Sequence, residues 1–116
     1  MIAADITDNH EAERVVDRVL ERFGRLDTLV NAAGLMLNGP SVESPLEEWD
    51  RMVDVNLRGL MYLTKQALPH LLQAVTSSPR AVADVVNISS VAGRIAAPQV
   101  AIYNATKFAV TAATEA

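Results

Sequence analysis

Apolar residues recur at helical spacing near the start of the chain. They lie between Asp8 and Gly24, separated by charged residues, at Ala12, Val15, Val16, Val19, Leu20 and Phe23. This spacing is typical of an amphipathic helix that covers a core with one face. Asp8 is a favourable N-cap and Gly24 a favourable C-terminal stop, so the sequence predicts a helix between them.

Three other segments have the character of strands. Residues 26–32 and 81–88 are largely apolar, and the second is rich in valine. The first run predicts a buried strand that leads into a turn, and the second is typical of a strand that is buried on both faces. Residues 1–5 are predicted to form the end of another buried strand.

A second helical region is predicted to start at Ser44. Ser44, Pro45 and Glu47 occupy the N-cap, the first helical position and the third helical position of a capping box. In this motif two side chains satisfy main-chain N–H groups that the helix leaves without partners.

The helical pattern that follows is interrupted. Apolar spacing continues over residues 49–72, which is too long for one undisturbed helix, and Pro69 is expected to kink it. We therefore expect two consecutive helices that break near Val55 or Asn56. A last helix is predicted from about Gln99 to the end of the sequence.

This order of strands and helices predicts a parallel α/β fold with right-handed crossovers, in a single domain. In such sheets, ligands bind beyond the carboxyl ends of the strands. Asp5, Asn31, Ser89 and Ser90 lie at the carboxyl ends of predicted strands, so we expect polar groups from three strands at one edge of the sheet.

Composition narrows the function classes. Of the 116 residues 50% are hydrophobic and 21% charged, and the net charge is −4. Disorder is excluded, and an acidic chain is a poor partner for nucleic acid or anionic lipid. The chain has no cysteine and no apolar run long enough to cross a membrane, and its first residues predict no secretory leader. A soluble cytoplasmic protein is the expectation.

Tyr103 and Lys107 are the residue pair with the clearest chemical potential. They are four positions apart on a predicted helix, so both project from one face. An ammonium beside a phenol favours the phenolate, which suits a general acid/base. Taken alone, the pair also matches an ordinary surface pair in which the lysine side chain lies along the helix.

Other candidates are individually ambiguous. Ser90, at the end of a strand, could hydrogen-bond a substrate oxygen or form a turn, and Asn56 could hold a water at the helix break or be tolerated at a kink. His10 and His70 have no neighbours at metal-ligand spacing, so no metal site is predicted.

Together, four short motifs resemble the short-chain dehydrogenase/reductase family. They are Asn31-Ala32-Ala33-Gly34, Asn56-Leu57-Arg58-Gly59, Val86-Asn87-Ile88-Ser89-Ser90 and Tyr103-Asn104-Ala105-Thr106-Lys107. Their order and intervals match the family over essentially the whole chain. The resemblance implies an incomplete, three-layer, Rossmann-like doubly wound parallel sheet, with residues 1–116 as part of an NAD(P)-binding domain.

The resemblance also implies catalytic roles. Tyr103 would be the acid/base that exchanges a proton with a carbonyl or secondary alcohol, while NAD or NADP exchanges the hydride. Lys107 would favour the phenolate of Tyr103 and hold the nicotinamide ribose. Ser90 would orient the substrate oxygen, and Asn56 would anchor a water that relays protons to Lys107.

Further residues resemble the family's cofactor contacts. Residues 31–34, with Asn31, Ala32 and Gly34 named as contacts, resemble the segment beside the adenosine, and Asp5 resembles the acidic residue that meets the adenine. The family's first strand, glycine-rich turn and helix, which hold the pyrophosphate, have no counterpart in this sequence, and its C-terminal part is also absent. The isolated chain is therefore expected to be marginally folded.

Two other functions stay open beside hydride transfer. One is a truncated scaffold or binding remnant without turnover, and the other is a relative that uses Tyr103 and Lys107 for dehydration or epimerisation. The substrate is expected to be a small molecule of undetermined class. The family resemblance also implies a homodimer or homotetramer at full length.

Overall fold

The computed structural model describes residues 1–77, 79 and 81–116. Its elements are α1 (Asn9–Phe23), β1 (Thr28–Asn31), α2 (Leu46–Val53), a π-helical segment (Asp54–Arg58), α3 (Gly59–Ser77), β2 (Asp84–Asn87), a 3-10 turn (Val91–Gly93) and α4 (Ala101–Glu115). The chain divides into two compact units. The first contains Met1–Asn31 and Gly59–Val86, and the second contains Ala32–Arg58 and Asn87–Ala116.

Helix α1, in the first unit, has the predicted ends. The Asp8 side chain accepts a hydrogen bond from the His10 main-chain N–H at 2.8 Å. At the other end, Gly24 adopts φ 73° and its N–H bonds to the Leu20 carbonyl oxygen. A left-handed residue at this place satisfies a helix-terminal carbonyl, which explains why glycine stops the helix.

The core of the first unit lies between helices and a small parallel sheet. Helices α1 and α3 contact each other, and α3 also contacts β1, which pairs with β2. The buried cluster consists of Val16, Leu29, Ala67 and Leu71. Partly buried apolar residues surround it: Leu20, Leu26, Leu63, Ala83 and Val85. Parallel strands with covering helices make this an incomplete α/β arrangement, as predicted.

The strands are shorter and less buried than predicted. β1 covers four residues of the predicted 26–32, and β2 covers four of the predicted 81–88. Val30 is 52% exposed and Val86 42% exposed. In the described residues the sheet has two strands. Buried and exposed residues alternate along β1, and partly buried and exposed residues alternate along β2, so burial of residues 81–88 on both faces was the wrong prediction.

Residues 1–5 do not form the predicted strand. They are exposed and make no ladder with β1 or β2. A strand is stable only where a neighbour satisfies its main-chain N–H and C=O groups, and apolar sequence alone does not provide that neighbour.

The second unit contains α2, the π-helical segment and α4. The helix predicted near Ser44 exists and begins at Leu46, but the capping box does not form. The Ser44 hydroxyl instead donates to the Pro40 carbonyl oxygen at 3.1 Å, and Pro45 at the N-cap makes no side-chain capping bond. The Ser44 main-chain N–H also donates to the Pro40 carbonyl oxygen, at 3.0 Å, so the N–H that Glu47 would satisfy in the motif already has a partner.

The predicted helix break is present as a π-helical segment. Val55 and Asn56 both lie within Asp54–Arg58, and α3 then continues through Pro69 to Ser77. Ser78, in the serine-rich link that follows, lies outside the described residues. The last helix begins at Ala101 rather than Gln99, because Gln99 adopts a φ of 65°, which no helix accommodates.

Candidate active site

Tyr103 and Lys107 share one face of α4, as the four-residue spacing predicts. The Lys107 ammonium nitrogen lies 5.8 Å from the centre of the Tyr103 ring. Lys107 is only 5% exposed, whereas Tyr103 is half-buried. The lysine is thus a buried cation held beside a partly accessible phenol, and not the flexible surface residue of the alternative interpretation.

The ammonium of Lys107 has a fixed partner. Its Nζ donates to the Ile88 carbonyl oxygen at 2.8 Å, just beyond the end of β2. An ammonium has three N–H donors, so two remain for other acceptors. A Cβ placed on Gly34 would lie 3.5 Å from this nitrogen, so the glycine main chain closely approaches the charge.

Asn56 connects three parts of the second unit. Its side-chain oxygen accepts from the Leu35 N–H at 2.7 Å, and its Nδ2 donates to the Leu35 carbonyl oxygen at 2.8 Å. The same Nδ2 donates to the Thr106 hydroxyl at 3.0 Å. Both amide donors are therefore used within the protein. The side chain fixes the Gly34–Leu35 segment against α4, and its predicted role toward a water stays a prediction.

Asn56, which bonds to Leu35 and Thr106, lies within the π-helical segment Asp54–Arg58. A π turn changes the helical hydrogen-bond pattern locally, and such turns are frequent at functional sites. Asn56 is 2% exposed, and its side-chain oxygen and nitrogen form hydrogen bonds with the Leu35 main chain and the Thr106 hydroxyl. A buried amide at this position is stable because each of its groups is hydrogen-bonded.

Ser90 caps the 3-10 turn that follows β2. Its hydroxyl oxygen accepts a hydrogen bond from the Ala92 N–H at 3.1 Å. Because the oxygen acts here as an acceptor, the hydroxyl proton remains available for donation. A substrate oxygen could accept a hydrogen bond from this hydroxyl proton.

A second serine holds the same turn against α4. The Ser89 hydroxyl donates to the Lys107 carbonyl oxygen at 3.2 Å and lies 2.9 Å from the Thr111 hydroxyl. Each hydroxyl has one proton, so Thr111 is the donor to Ser89. A Cβ on Gly93 would come within 2.7 Å of the Lys107 carbonyl oxygen, so only glycine allows this approach.

Asn104 was not singled out from the sequence, although it adjoins Tyr103. It is 5% exposed and makes three side-chain hydrogen bonds to the main chain of residues 92, 95 and 97. Thr106, also missed, is 2% exposed and joins Asn56 to the Tyr103 carbonyl oxygen. A polar residue on the buried face of an apolar helix is the signal that could have identified both.

Two predicted cofactor contacts lie in the first unit. Asp5 is exposed and accepts hydrogen bonds from the Thr7 hydroxyl at 2.7 Å and from the Thr7 N–H at 3.0 Å, which lower the pKa of its carboxyl. Asn31, at the end of β1, is 7% exposed and donates to the Thr64 hydroxyl at 2.9 Å. Ala32 and Gly34 follow in the second unit, and both are exposed.

Comparison with known proteins identifies the class. The chain matches the short chain dehydrogenase family over residues 1–116. It is 35% identical, over all of its own length, to 39% of the CLA biosynthesis dehydrogenase/reductase of Lactiplantibacillus plantarum. The chain therefore belongs to the short-chain dehydrogenase/reductase family, and the resemblance inferred from its motifs is confirmed.

Solved structures confirm the fold class. A short-chain dehydrogenase/reductase from Burkholderia phymatum, in complex with NAD, matches 98% of this chain and 39% of its own, with a TM-score of 0.90 and 32% identity. ElxO with NADP bound matches 96% of this chain and 45% of its own, with a TM-score of 0.83 and 32% identity. The chain spans 39% to 47% of the length of the curated relatives it matches.

Two further features bear on the class of site. Within residues 1–77, 79 and 81–116, no helix has the length and apolarity that a membrane crossing requires. In the same residues, histidine, aspartate and glutamate side chains form no group of three that could hold a metal ion.

Proposed function

We propose that the protein transfers a hydride between NAD(P)(H) and a carbonyl or secondary alcohol substrate. The observation that carries the proposal is the arrangement on α4, where the buried Lys107 ammonium lies 5.8 Å from the Tyr103 ring. Family membership supports hydride transfer as the reaction type, and this geometry supports Tyr103 as the acid/base.

In the reduction, Tyr103 would give its phenolic proton to the substrate oxygen, and bound NAD(P)H would supply the hydride for the carbonyl carbon and leave as NAD(P)+. The product is the alcohol, and the phenolate of Tyr103 is then reprotonated from solvent. The Lys107 ammonium lies on the same face of α4, 5.8 Å from the centre of the Tyr103 ring. Ser90 donates its hydroxyl proton to the same substrate oxygen and holds the carbonyl in place.

The residues around Lys107 suit a nicotinamide nucleotide. Two N–H donors of the ammonium remain after its bond to Ile88, and they match the vicinal hydroxyls of a ribose. A Cβ on Gly34 would lie 3.5 Å from that nitrogen, so glycine leaves this side of the ammonium less crowded than any other residue would. The NAD and NADP complexes of similar structures are consistent with either nucleotide.

The remaining assignments belong to the same proposal. Asp5, Asn31, Ala32 and Gly34 contact the adenosine part of the nucleotide, within an NAD(P)-binding domain to which residues 1–116 contribute. Asn56 anchors a water that leads to Lys107. The protein acts in the cytoplasm on a small-molecule substrate and assembles as a homodimer or homotetramer.

The decisive experiment is a hydride-transfer assay on the protein as its cells produce it, called the native protein below. NADH and NADPH are each offered with small ketones, aldohexoses, steroid ketones and acyl thioesters bearing a ketone. We expect nucleotide oxidation matched by formation of an alcohol. Tyr103→Phe should abolish turnover and leave nucleotide binding nearly unchanged, because only the phenolic hydroxyl is lost.

Tyr62→Phe is the matched control, since it removes the other tyrosine hydroxyl of the chain and should retain full turnover. A Tyr103→Phe variant with native kcat would refute the assignment. A product with unchanged redox state would instead indicate dehydration or epimerisation, and nucleotide binding without any carbonyl reduction would indicate a non-catalytic scaffold.

A further inference from the structure

Residues 92–97, called the 92–97 loop below, leave the 3-10 turn and return toward α4. Three of its main-chain groups bond to one side chain, that of Asn104. The Nδ2 of Asn104 donates to the carbonyl oxygens of Ala92 and Ile95, both at 2.9 Å. Its side-chain oxygen accepts from the Ala97 N–H at 3.2 Å.

The chemistry of these contacts matches asparagine closely. The loop presents two acceptors and one donor, and the side-chain amide offers two donors and one acceptor. An aspartate of the same size would turn carboxylate oxygens toward two carbonyl oxygens. A leucine of similar size would leave the main-chain groups without partners, and each such loss destabilises a buried site.

Asn104 is also adjacent to the acid/base. Asn104 directly follows Tyr103 in α4, and its side chain projects about 100° around the helix from that of Tyr103. The loop it holds starts just after Ser90. The loop is therefore connected to Ser90 along the chain and, through Asn104, to the residue next to Tyr103.

The region carries exposed apolar side chains. Val91 is 74% exposed at the start of the turn, and Ile95 is 65% exposed within the loop. The main chain at Ile95 is held by Asn104, so its side chain is kept outward by a fixed backbone. Small-molecule sites are lined mainly by apolar side chains, so Val91 and Ile95 are the residues that would form such a lining here.

We propose that Asn104 is a positioning residue that fixes the 92–97 loop as an apolar wall beside Tyr103, and that this wall selects carbonyl substrates with an apolar body. The selection of substrate rests on the proposed function. The restraint on the loop does not, so the two parts have separate tests.

Limited proteolysis of the native protein tests the restraint. Arg94 is exposed within the loop, and trypsin cleaves after arginine. Asn104→Ala should speed cleavage at Arg94 several-fold, measured by mass spectrometry relative to cleavage at Arg18 in α1. Asn38→Ala, at an exposed loop asparagine, is the matched control and should cleave at the native rate. Native cleavage rates at Arg94 in the Asn104 variant would overturn the proposal.

A second variant covers the case in which Asn104→Ala does not fold. Asn104→Asp keeps the size and the acceptor for Ala97 but loses both donors, so it should also speed cleavage at Arg94. An unchanged rate in this variant would equally contradict the restraint.

Kinetics test the selection. With a steroid ketone as the apolar probe and D-glucose as the polar one, the native protein should favour the ketone. Asn104→Ala should raise the KM for the ketone about ten-fold, the usual scale for lost apolar contacts, with the KM for the nucleotide unchanged. A preference for glucose, or an effect confined to the nucleotide KM, would overturn the selection. If no carbonyl is reduced, the proposed function fails, while proteolysis still decides the role of Asn104.

Discussion

The ammonium of Lys107 donates to the carbonyl oxygen of Ile88 across 2.8 Å, and the next residue, Ser89, donates to the carbonyl oxygen of the same lysine. Two consecutive residues after β2 thus fix both the charged end and the main chain of Lys107. A cation held in this way does not need to be ordered when a ligand arrives, which preserves binding free energy.

Loss of this cation should weaken nucleotide binding. We expect Lys107→Met to raise the Kd for NADH and NADPH by about ten-fold or more, because hydrogen bonds from a charged donor contribute about 1.5–3 kcal/mol. Fluorescence titration of the native protein and the variant measures the change. Lys65→Met, at an exposed lysine of α3, is the control. Equal Kd values for the two variants would contradict the role given to Lys107.

Asn56 should be important for stability as well as for the site. Asn56→Ala leaves the Leu35 main chain and the Thr106 hydroxyl without their partner, and we expect a loss of about 2–4 kcal/mol in the free energy of unfolding. Urea denaturation of the native protein measures it, with Asn38→Ala as the exposed counterpart. Similar unfolding midpoints for both variants would show that the three bonds contribute little.

Asp5 gives a pH-dependent contribution of known sign. Its carboxyl pKa is lowered chiefly by the Thr7 hydroxyl and then by the Thr7 N–H. A lowered folded-state pKa stabilises the fold above the unfolded pKa, and this contribution disappears as the pH falls through the folded value. We expect Thr7→Val to raise the pKa of Asp5 toward its ordinary value in an NMR titration, and Thr28→Val to leave it unchanged. An unaltered titration in Thr7→Val would exclude the hydroxyl as the cause.

These 116 residues alone should fold only marginally. In the described residues the sheet has two strands, and apolar side chains such as Val30, Val86 and Ile88 are largely exposed. We expect a broad thermal transition and strong binding of a hydrophobic dye, as in loosely packed states. A sharp two-state transition for the isolated chain would contradict this expectation.

Local signals in the sequence were the most reliable guides to the fold. The ends of α1 were predictable because Asp8 and Gly24 act on their own neighbours in the chain. The capping box at Ser44 did not form although it is also local, because the main-chain N–H of Ser44 already donates to the Pro40 carbonyl oxygen. Burial of the strands was predicted poorly, since an apolar run does not show how many of its faces are covered.

The motif residues of the candidate site could be recognised in the sequence, but the hydrogen bonds between them could not. Spacing alone placed Tyr103 and Lys107 on one face. The partners of Asn56, Ser89 and Asn104 are 7 to 50 positions away along the chain, so only tertiary structure brings them together. For this reason the sequence did not indicate a role for Asn104, although Tyr103 beside it in the chain was the first candidate.

Helix α4 carries Tyr103, Asn104, Lys107 and Thr111 within three turns. The spacing between Tyr103, Lys107 and the loop anchor Asn104 is therefore set by helical geometry rather than by long-range folding. Sequences that diverge in their loops can still transmit this spacing unchanged. Under the proposed function, changes in the 92–97 loop would alter the choice of substrate, while the residues of the proton transfer would be inherited together on one helix.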